Sequence, residues 1–215
     1  MTPTQIEDAA RRAYNAVGSS FWSQAEILDL IYFAEMELCR KAHILRRTYT
    51  ATTVASTQDY SFPTYVIGIK KITWDGVPLK RVDLREDDIL TGNDADTTST
   101  GSPRYYFDWG RTVSLRPIPS SAATLKLWTY DEPSTLSSTS TLDVATKYHP
   151  DIILYLLGHM VAKDENFRLS ENYLLLWEKK VQEAIKEIAK TKRMDSFAYV
   201  KDEEALMDTT TIGVI

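Results

Sequence analysis

Cysteine is nearly missing from this 215-residue chain: Cys39 stands alone, with three histidines and eight glycines. A single thiol makes no intrachain disulfide and completes no Cys-based zinc site. The longest nearly apolar run, residues 152–162, carries His159 and is shorter than the roughly 20 residues a bilayer-spanning helix needs. The N-terminus does not read as a charged, then apolar, then cleavable signal, so an intracellular product without a membrane partner is expected. No glycine-rich phosphate loop, His-Glu-x-x-His, Gly-x-Ser-x-Gly or EF-hand loop occurs. Lys and Arg number 25 against 30 Asp and Glu, a net charge of -5. That balance leaves no diffuse basic surface, and tight general DNA binding is not expected.

What is present belongs to a folded protein: 43% hydrophobic and 26% charged residues, enough for one large domain or two small ones. Thr2-Pro3-Thr4-Gln5 supplies a capping box with proline at the first helical position, predicting a helix to about residue 17. Ser23-Gln24-Ala25-Glu26 repeats the box, and Ile27, Leu28, Ile31, Ala34, Met36 and Leu38 follow at helical spacing over about 24–46. The pair reads as an antiparallel helical hairpin rather than a DNA-reading motif, whose recognition face would need Arg, Asn and Gln.

Near Thr48 the composition turns to threonine, valine and aromatics, and the period drops towards two. Strands are predicted at 50–54, 65–74 and 77–82, the last two joined by an Asp75-Gly76 hairpin turn. A short helix at 85–90 and a polar loop at 91–101 follow, then three strands at 104–109, 112–116 and 124–130 forming an antiparallel meander. Helical sequence returns with His149-Pro150-Asp151, whose wide apolar face (Ile152, Ile153, Leu156, Leu157, Met160) predicts the most buried helix. Ser170 is the expected cap of a last helix, about 171–194, with Leu174, Leu175, Trp177, Val181, Ile185 and Ile188 on its apolar side. The fold class is therefore α+β: a helical bundle of two sequence-distant hairpins with an inserted antiparallel β domain. Its expected parts are 1–47 with 143–195 (helical), 48–142 (β) and an extended tail at 196–215.

Catalytic and metal-binding candidates are few. Cys39 and His43 stand at i,i+4 on one helix face, but no third ligand is near, and packing and capping explain them. His149 belongs to a turn, and His159 reads as a hydrogen-bonded core histidine. Asp87-Asp88, Asp94 with Asp96, and Glu203-Glu204 lie in segments that read as solvated, not as the rigid settings that split carboxyl pKa values. No enzyme activity, cofactor or metal is expected. Basic residues cluster at Arg40-Lys41, Arg46-Arg47, Lys70-Lys71 and Lys80-Arg81, and Tyr105-Tyr106-Phe107 and Trp109 interleave with Arg104 and Arg111, a pattern that can stack single-stranded bases but is explained more simply by a β-sandwich face with arginine at its rim. A second reading takes Tyr105, Tyr106, Trp109 and Trp128 as a stacking platform of a receptor- or carbohydrate-binding tail module.

In their order, several stretches resemble the head-to-tail connector (adaptor) proteins of tailed bacteriophages, including the tubular-tail ring proteins of short-tailed phages. These are Phe21-Trp22-Ser23-Gln24-Ala25-Glu26-Ile27, Tyr60-Ser61-Phe62-Pro63 leading to Trp74-Asp75-Gly76, Gly101-Ser102-Pro103-Arg104, Leu115-Arg116-Pro117-Ile118-Pro119, Tyr130-Asp131-Glu132-Pro133, and His149-Pro150-Asp151-Ile152 with the Asn172-Tyr173 and Trp177 helix. The resemblance covers about 21–185. It implies a structural virion protein, assembled in the host cytoplasm and resident in the neck or tail. Such proteins form rings, typically of twelve copies, between the portal protein and a tail or nozzle protein. The ring leaves a channel through which double-stranded DNA passes without sequence-specific binding. Within that picture Tyr199, Val200, Ile212, Gly213, Val214 and Ile215 are expected to dock on the portal, a frayed terminus being the alternative. Asp94, Asp96, Thr97, Thr98 and Ser99 are expected in a tail-facing loop.

Overall fold

The computed structural model describes residues 1–16, 21–83 and 99–207, with the backbone alone for 191–207. The chain divides into two compact units, Met1–Ile44 with Pro133–Ile215, and Leu45–Glu132.

In the first unit, helices α1 (Pro3–Ala13) and α2 (Gln24–Ala42) precede the β unit, and a 3₁₀ turn (Thr146–Tyr148), α3 (His149–Lys163) and α4 (Phe167–Met207) follow it. Both capping boxes form: the Gln5 N–H donates to Thr2 Oγ1 at 3.3 Å, and the Glu26 N–H to Ser23 Oγ at 3.3 Å. Each is returned, by Thr2 N–H to Gln5 Oε1 at 3.0 Å and Ser23 N–H to Glu26 Oε2 at 2.9 Å. The first helix ends at Ala13, short of 17, a position outside the described residues. The second ends at Ala42 and not near 46, because His43 turns to φ 53° and its N–H closes onto the Cys39 carbonyl at 3.0 Å. That releases Arg46 to begin a strand.

Helix α4 begins at Phe167 rather than after Ser170. The Asn166 carboxamide oxygen accepts the Leu169 N–H at 3.3 Å, while Ser170 lies buried inside the helix with its N–H on the Asn166 carbonyl at 3.0 Å. At the other end the helix continues to Met207, where an extended tail was expected from 196; residues 208–215 lie outside those described. Helix α3 packs against α1, α2 and α4, and Ile152, Leu156, Met160 and Val161 are excluded from water. Each such side chain contributes roughly 1.5–3 kcal/mol. Gly158 permits the tightest approach: a Cβ there would stand 2.7 Å from Leu174 Cδ2.

The second unit contains β1 (Arg46–Thr52), β2 (Asp59–Ser61), β3 (Val66–Trp74), β4 (Val77–Pro78), β5 (Lys80–Arg81), β6 (Thr100–Gly101), β7 (Tyr105–Trp109), β8 (Thr112–Arg116), β9 (Ile118–Pro119) and β10 (Thr124–Asp131). One sheet runs β1-β10-β3-β4, a second β2-β8-β7-β5, and β6 pairs with β9. The Asp75-Gly76 hairpin forms with φ of 49° and 79°, the left-handed pair that a two-residue turn between twisted strands requires.

Three expectations are corrected. The strands at 105–131 do not form a meander, because β10 leaves the β7–β8 hairpin and pairs between β1 and β3. Pro117 and Pro119 lack the N–H groups that would continue the ladder. The β unit is not wholly antiparallel: β5–β7 and β6–β9 are two-residue parallel pairs. The 77–82 strand is split, with β4 and β5 in different sheets. The 85–90 helix lies outside the described residues, as does the 91–101 loop up to residue 98, while Thr100 and Gly101 belong to β6.

Ile72, Trp74, Leu125 and Leu127 of the first sheet and Tyr106, Val113 and Leu115 of the second form one core with Leu79. Thr53, fully buried, closes its end. Its hydroxyl donates to the Ala123 carbonyl at 3.1 Å and accepts Ala123 N–H at 3.0 Å and Trp74 Nε1–H at 3.1 Å, filling its one donor and two acceptor places. Thr53→Val therefore destabilises the β unit by about 1–3 kcal/mol for each orphaned donor, and Thr53→Ser by much less, as read from urea unfolding. Equal midpoints for wild type and Thr53→Val would contradict this.

Candidate functional site

The groups from which catalysis might be built are dispersed or used structurally. Cys39 is buried, and the His43 N–H closes onto its carbonyl in the backbone cap already described. Among the described residues no group of three or more His, Cys, Asp or Glu is arranged to hold a metal ion. No helix among them is long and apolar enough to cross a membrane. Asp87, Asp88, Asp94 and Asp96 lie outside the described residues.

His149 sits in a buried polar chain. Glu35, with no exposure to water, accepts the Val144 N–H through Oε1 at 2.8 Å, and the Val144 carbonyl lies 3.1 Å from His149 Nε2. A carbonyl only accepts, so Nε2 carries the proton. His149 Nδ1 faces the Met1 amino group at 3.0 Å. Burial holds the His149 pKa below its ordinary value, against the raising effect of the Val144 carbonyl. His159 packs on Tyr155 with ring centroids 4.4 Å apart and planes tilted by 50°, Tyr155 lies 5.3 Å from Trp177, and burial lowers the His159 pKa as well. In the β unit, buried Asp131 accepts the Thr129 hydroxyl at 2.6 Å and the Tyr49 hydroxyl, with Arg47 at 4.0 Å. Burial and the Asp131 carboxylate push the Tyr49 pKa up. These networks tie together parts of each unit that are distant in sequence.

The supposed aromatic platform is not assembled. Tyr106 is in the core, Trp109 is 71% exposed on β7, and Trp128 belongs to the other sheet, with Lys71 and Lys126 over its ring.

Exposed apolar surface is found instead on the helical unit. Phe33, Met36 and Tyr155 line a groove of about 390 Å³, rimmed by Glu37, Arg40 and Lys41. Phe33 is 46% exposed. On α4, Leu175 and Leu176 are 69% and 49% exposed, while Leu174 packs on Gly158 and Trp177 and Val181 are buried. Leu175 is thus not on the apolar side where the spacing had put it. Three successive leucines, each turned 100° from the last, cannot share one buried face; that was the available signal. Met36 stands at the helical spacing of core residues in the sequence, and Phe33 does not.

Of the expected docking residues, Tyr199 and Val200 are on helix α4, and Ile212, Gly213, Val214 and Ile215 lie outside the described residues. Of the expected tail-facing loop, Asp94, Asp96, Thr97 and Thr98 lie outside them, and the Ser99 carbonyl accepts the Ile118 N–H at 3.0 Å.

The family model of the SU10 adaptor protein matches residues 1–201. The chain belongs to this phage head-tail adaptor family, whose role is structural, in the virion, with portal and tail proteins as partners. No curated protein matches the chain.

Both lowered histidine pKa values make the unfolded chain bind protons more readily than the folded one as pH falls through the ordinary value of 6.5. Stability from these groups is full above that value and is lost on acidification. Urea unfolding followed by helical circular dichroism should show lower stability at about pH 5.5 than at about pH 7.5, with a smaller loss in His159→Asn. A flat profile would contradict the assignment.

Proposed function

We propose that this adaptor assembles as a closed ring, of twelve copies as in the proteins it resembles, joining the portal to the tail around a channel for double-stranded DNA. The observation that carries the reading is the pair of unlike apolar patches on one helical unit: the Phe33–Met36–Tyr155 groove and the Leu175–Leu176 ridge. Contacts between two different patches are heterologous, and heterologous contacts close into rings when the rotation per subunit fits. Monomers seldom leave such residues grouped without a partner.

In this reading the long α4 helix serves the portal side. Its 41 residues span roughly 60 Å. Its neighbours α2 and α3, of 19 and 15 residues, span roughly 28 and 22 Å. The last buried side chain described on α4 is Ala184. The turns that follow carry Tyr199 and Val200 past the bundle, and Ile212, Gly213, Val214 and Ile215 extend the reach to the portal. The polar segment with Asp94, Asp96, Thr97, Thr98 and Ser99 meets the tail protein. DNA passes without sequence-specific contacts.

Sedimentation of the protein mixed with portal tests both parts. The double variant Leu175→Glu/Leu176→Glu alters only exposed side chains on α4, so it should keep the wild-type circular dichroism while its ring species is lost. Unchanged rings would remove the ridge from the interface. Deleting 196–215 should leave the fold intact and abolish portal binding, since it removes the proposed portal arm. A truncated chain that still binds the portal would refute the arm.

A further inference from the structure

The outer face of the first sheet carries positive charge that no described carboxylate neutralises. Arg46, Thr48 and Thr50 of β1 share it with Lys126 and Trp128 of β10 and Lys71 of β3. The register shows this: Thr48 and Lys71 both lie opposite Trp128, Thr50 opposite Lys126, and Arg46 opposite Tyr130. Leu125, Leu127 and Ile72, at the alternate positions, face the core. Lys71 Nζ is 5.3 Å and Lys126 Nζ 4.9 Å from the Trp128 ring centroid.

Several cations elsewhere are paired. Lys41, Lys147, Lys163 and Lys180 each meet a glutamate within 3.0 Å, and Arg81 meets Asp108 at 2.7 Å. Arg46, Lys71 and Lys126 make no ion pair among the described residues, and neither Asp nor Glu stands at the facing positions of these three strands. Over the whole of Leu45–Glu132 eleven Lys or Arg stand against eleven Asp or Glu, so the positive charge belongs to this face and not to the unit.

Its chemistry selects the partner. A protein partner is held chiefly by aromatic anchors seated in apolar pockets, and the tryptophan of this face is already occupied by two ammonium groups. Stacking of unpaired bases needs a free ring, which is likewise missing. Ammonium, guanidinium and threonine hydroxyl groups on a flat surface are contacts of the kind made to phosphate oxygens. The three charges are stepped along β10 by two residues each, roughly 7 Å per step, so they meet a repeating negative charge. We propose that this face touches the phosphate backbone of duplex DNA through Arg46, Lys71 and Lys126. The contacts are few and sequence-independent, which holds DNA loosely enough to slide. The inference names the channel-side surface and so rests on the reading of the assembly as a DNA passage.

The test uses the full chain labelled with ¹⁵N and a duplex of about 20 base pairs at low salt, where phosphate contacts are strongest. The Trp128 indole N–H resonance, identified by its loss in Trp128→Phe, should shift saturably on titration. Three phosphate contacts give a slope of log affinity against log salt of about -2.7, and Lys126→Gln should bring it to about -1.8. Unaltered affinity and slope in Lys71→Gln/Lys126→Gln would overturn the proposal. A poly-glutamate peptide that saturates the face where the duplex does not would overturn it too, making the partner an acidic protein. Sedimentation of the same double variant with portal separates the two readings. Rings with unaltered DNA binding reject this face alone, and a Trp128 shift without rings rejects the ring while the face stands.

Discussion

Glu35 is a carboxyl side chain wholly removed from water, and the helical unit closes around it. A buried polar group costs free energy unless a hydrogen bond replaces its hydration. The bond it makes to the Val144 N–H spans 109 positions in sequence and joins the half of the unit that precedes the β insertion to the half that follows it. The Val144 carbonyl passes the connection to His149, which opens α3, the helix against which the other three pack. With one cysteine in the chain no disulfide does this work. The entry angle of α3, and through Gly158 the seating of α4, depend on that polar chain together with the apolar contacts around it.

The β unit has its own core, with Thr53 and Trp74 bonded at one end. The surfaces assigned to assembly then fall on different units. Unlike apolar patches on α2–α3 and α4 suit contacts between copies, whereas the sheet offers a flat, uncompensated cationic face. A net acidic chain with one modest basic face differs from a DNA-binding protein, in which six to ten phosphate contacts make release slow and strongly salt-dependent.

Local chemistry was legible in the sequence. Thr2 with Gln5, Ser23 with Glu26, Pro150 in the first turn of α3 and Asp75-Gly76 in a tight hairpin all act over three or four residues, and all are found where their spacing put them. Long-range partners were not. Nothing near 124–131 says that β10 passes its neighbour β8 to lie between β1 and β3, since that choice is made by the alternating faces of strands more than fifty residues away. Asn166 and Ser170 are both capable caps, and only the packing of Ser170 into the bundle decides between them. The apolar patches were hidden for a related reason: Met36 and Leu175 have the composition of core residues, and which helix face lacks a partner is a property of the assembled unit. Lys71 and Lys126 were visible as charges, but their common face and lack of carboxylates required the register.

The central claim is that unlike patches of one helical unit meet in successive copies of a ring that bridges portal and tail. Electron cryomicroscopy of the adaptor bound to its portal tests it most directly. The account predicts a closed ring in which the Phe33–Met36–Tyr155 groove of each copy receives Leu175 and Leu176 of the next, with the sheet face bearing Lys71 and Lys126 turned to the channel. Copies bound singly to the portal, or a ring in which that groove stays open to solvent, would contradict it.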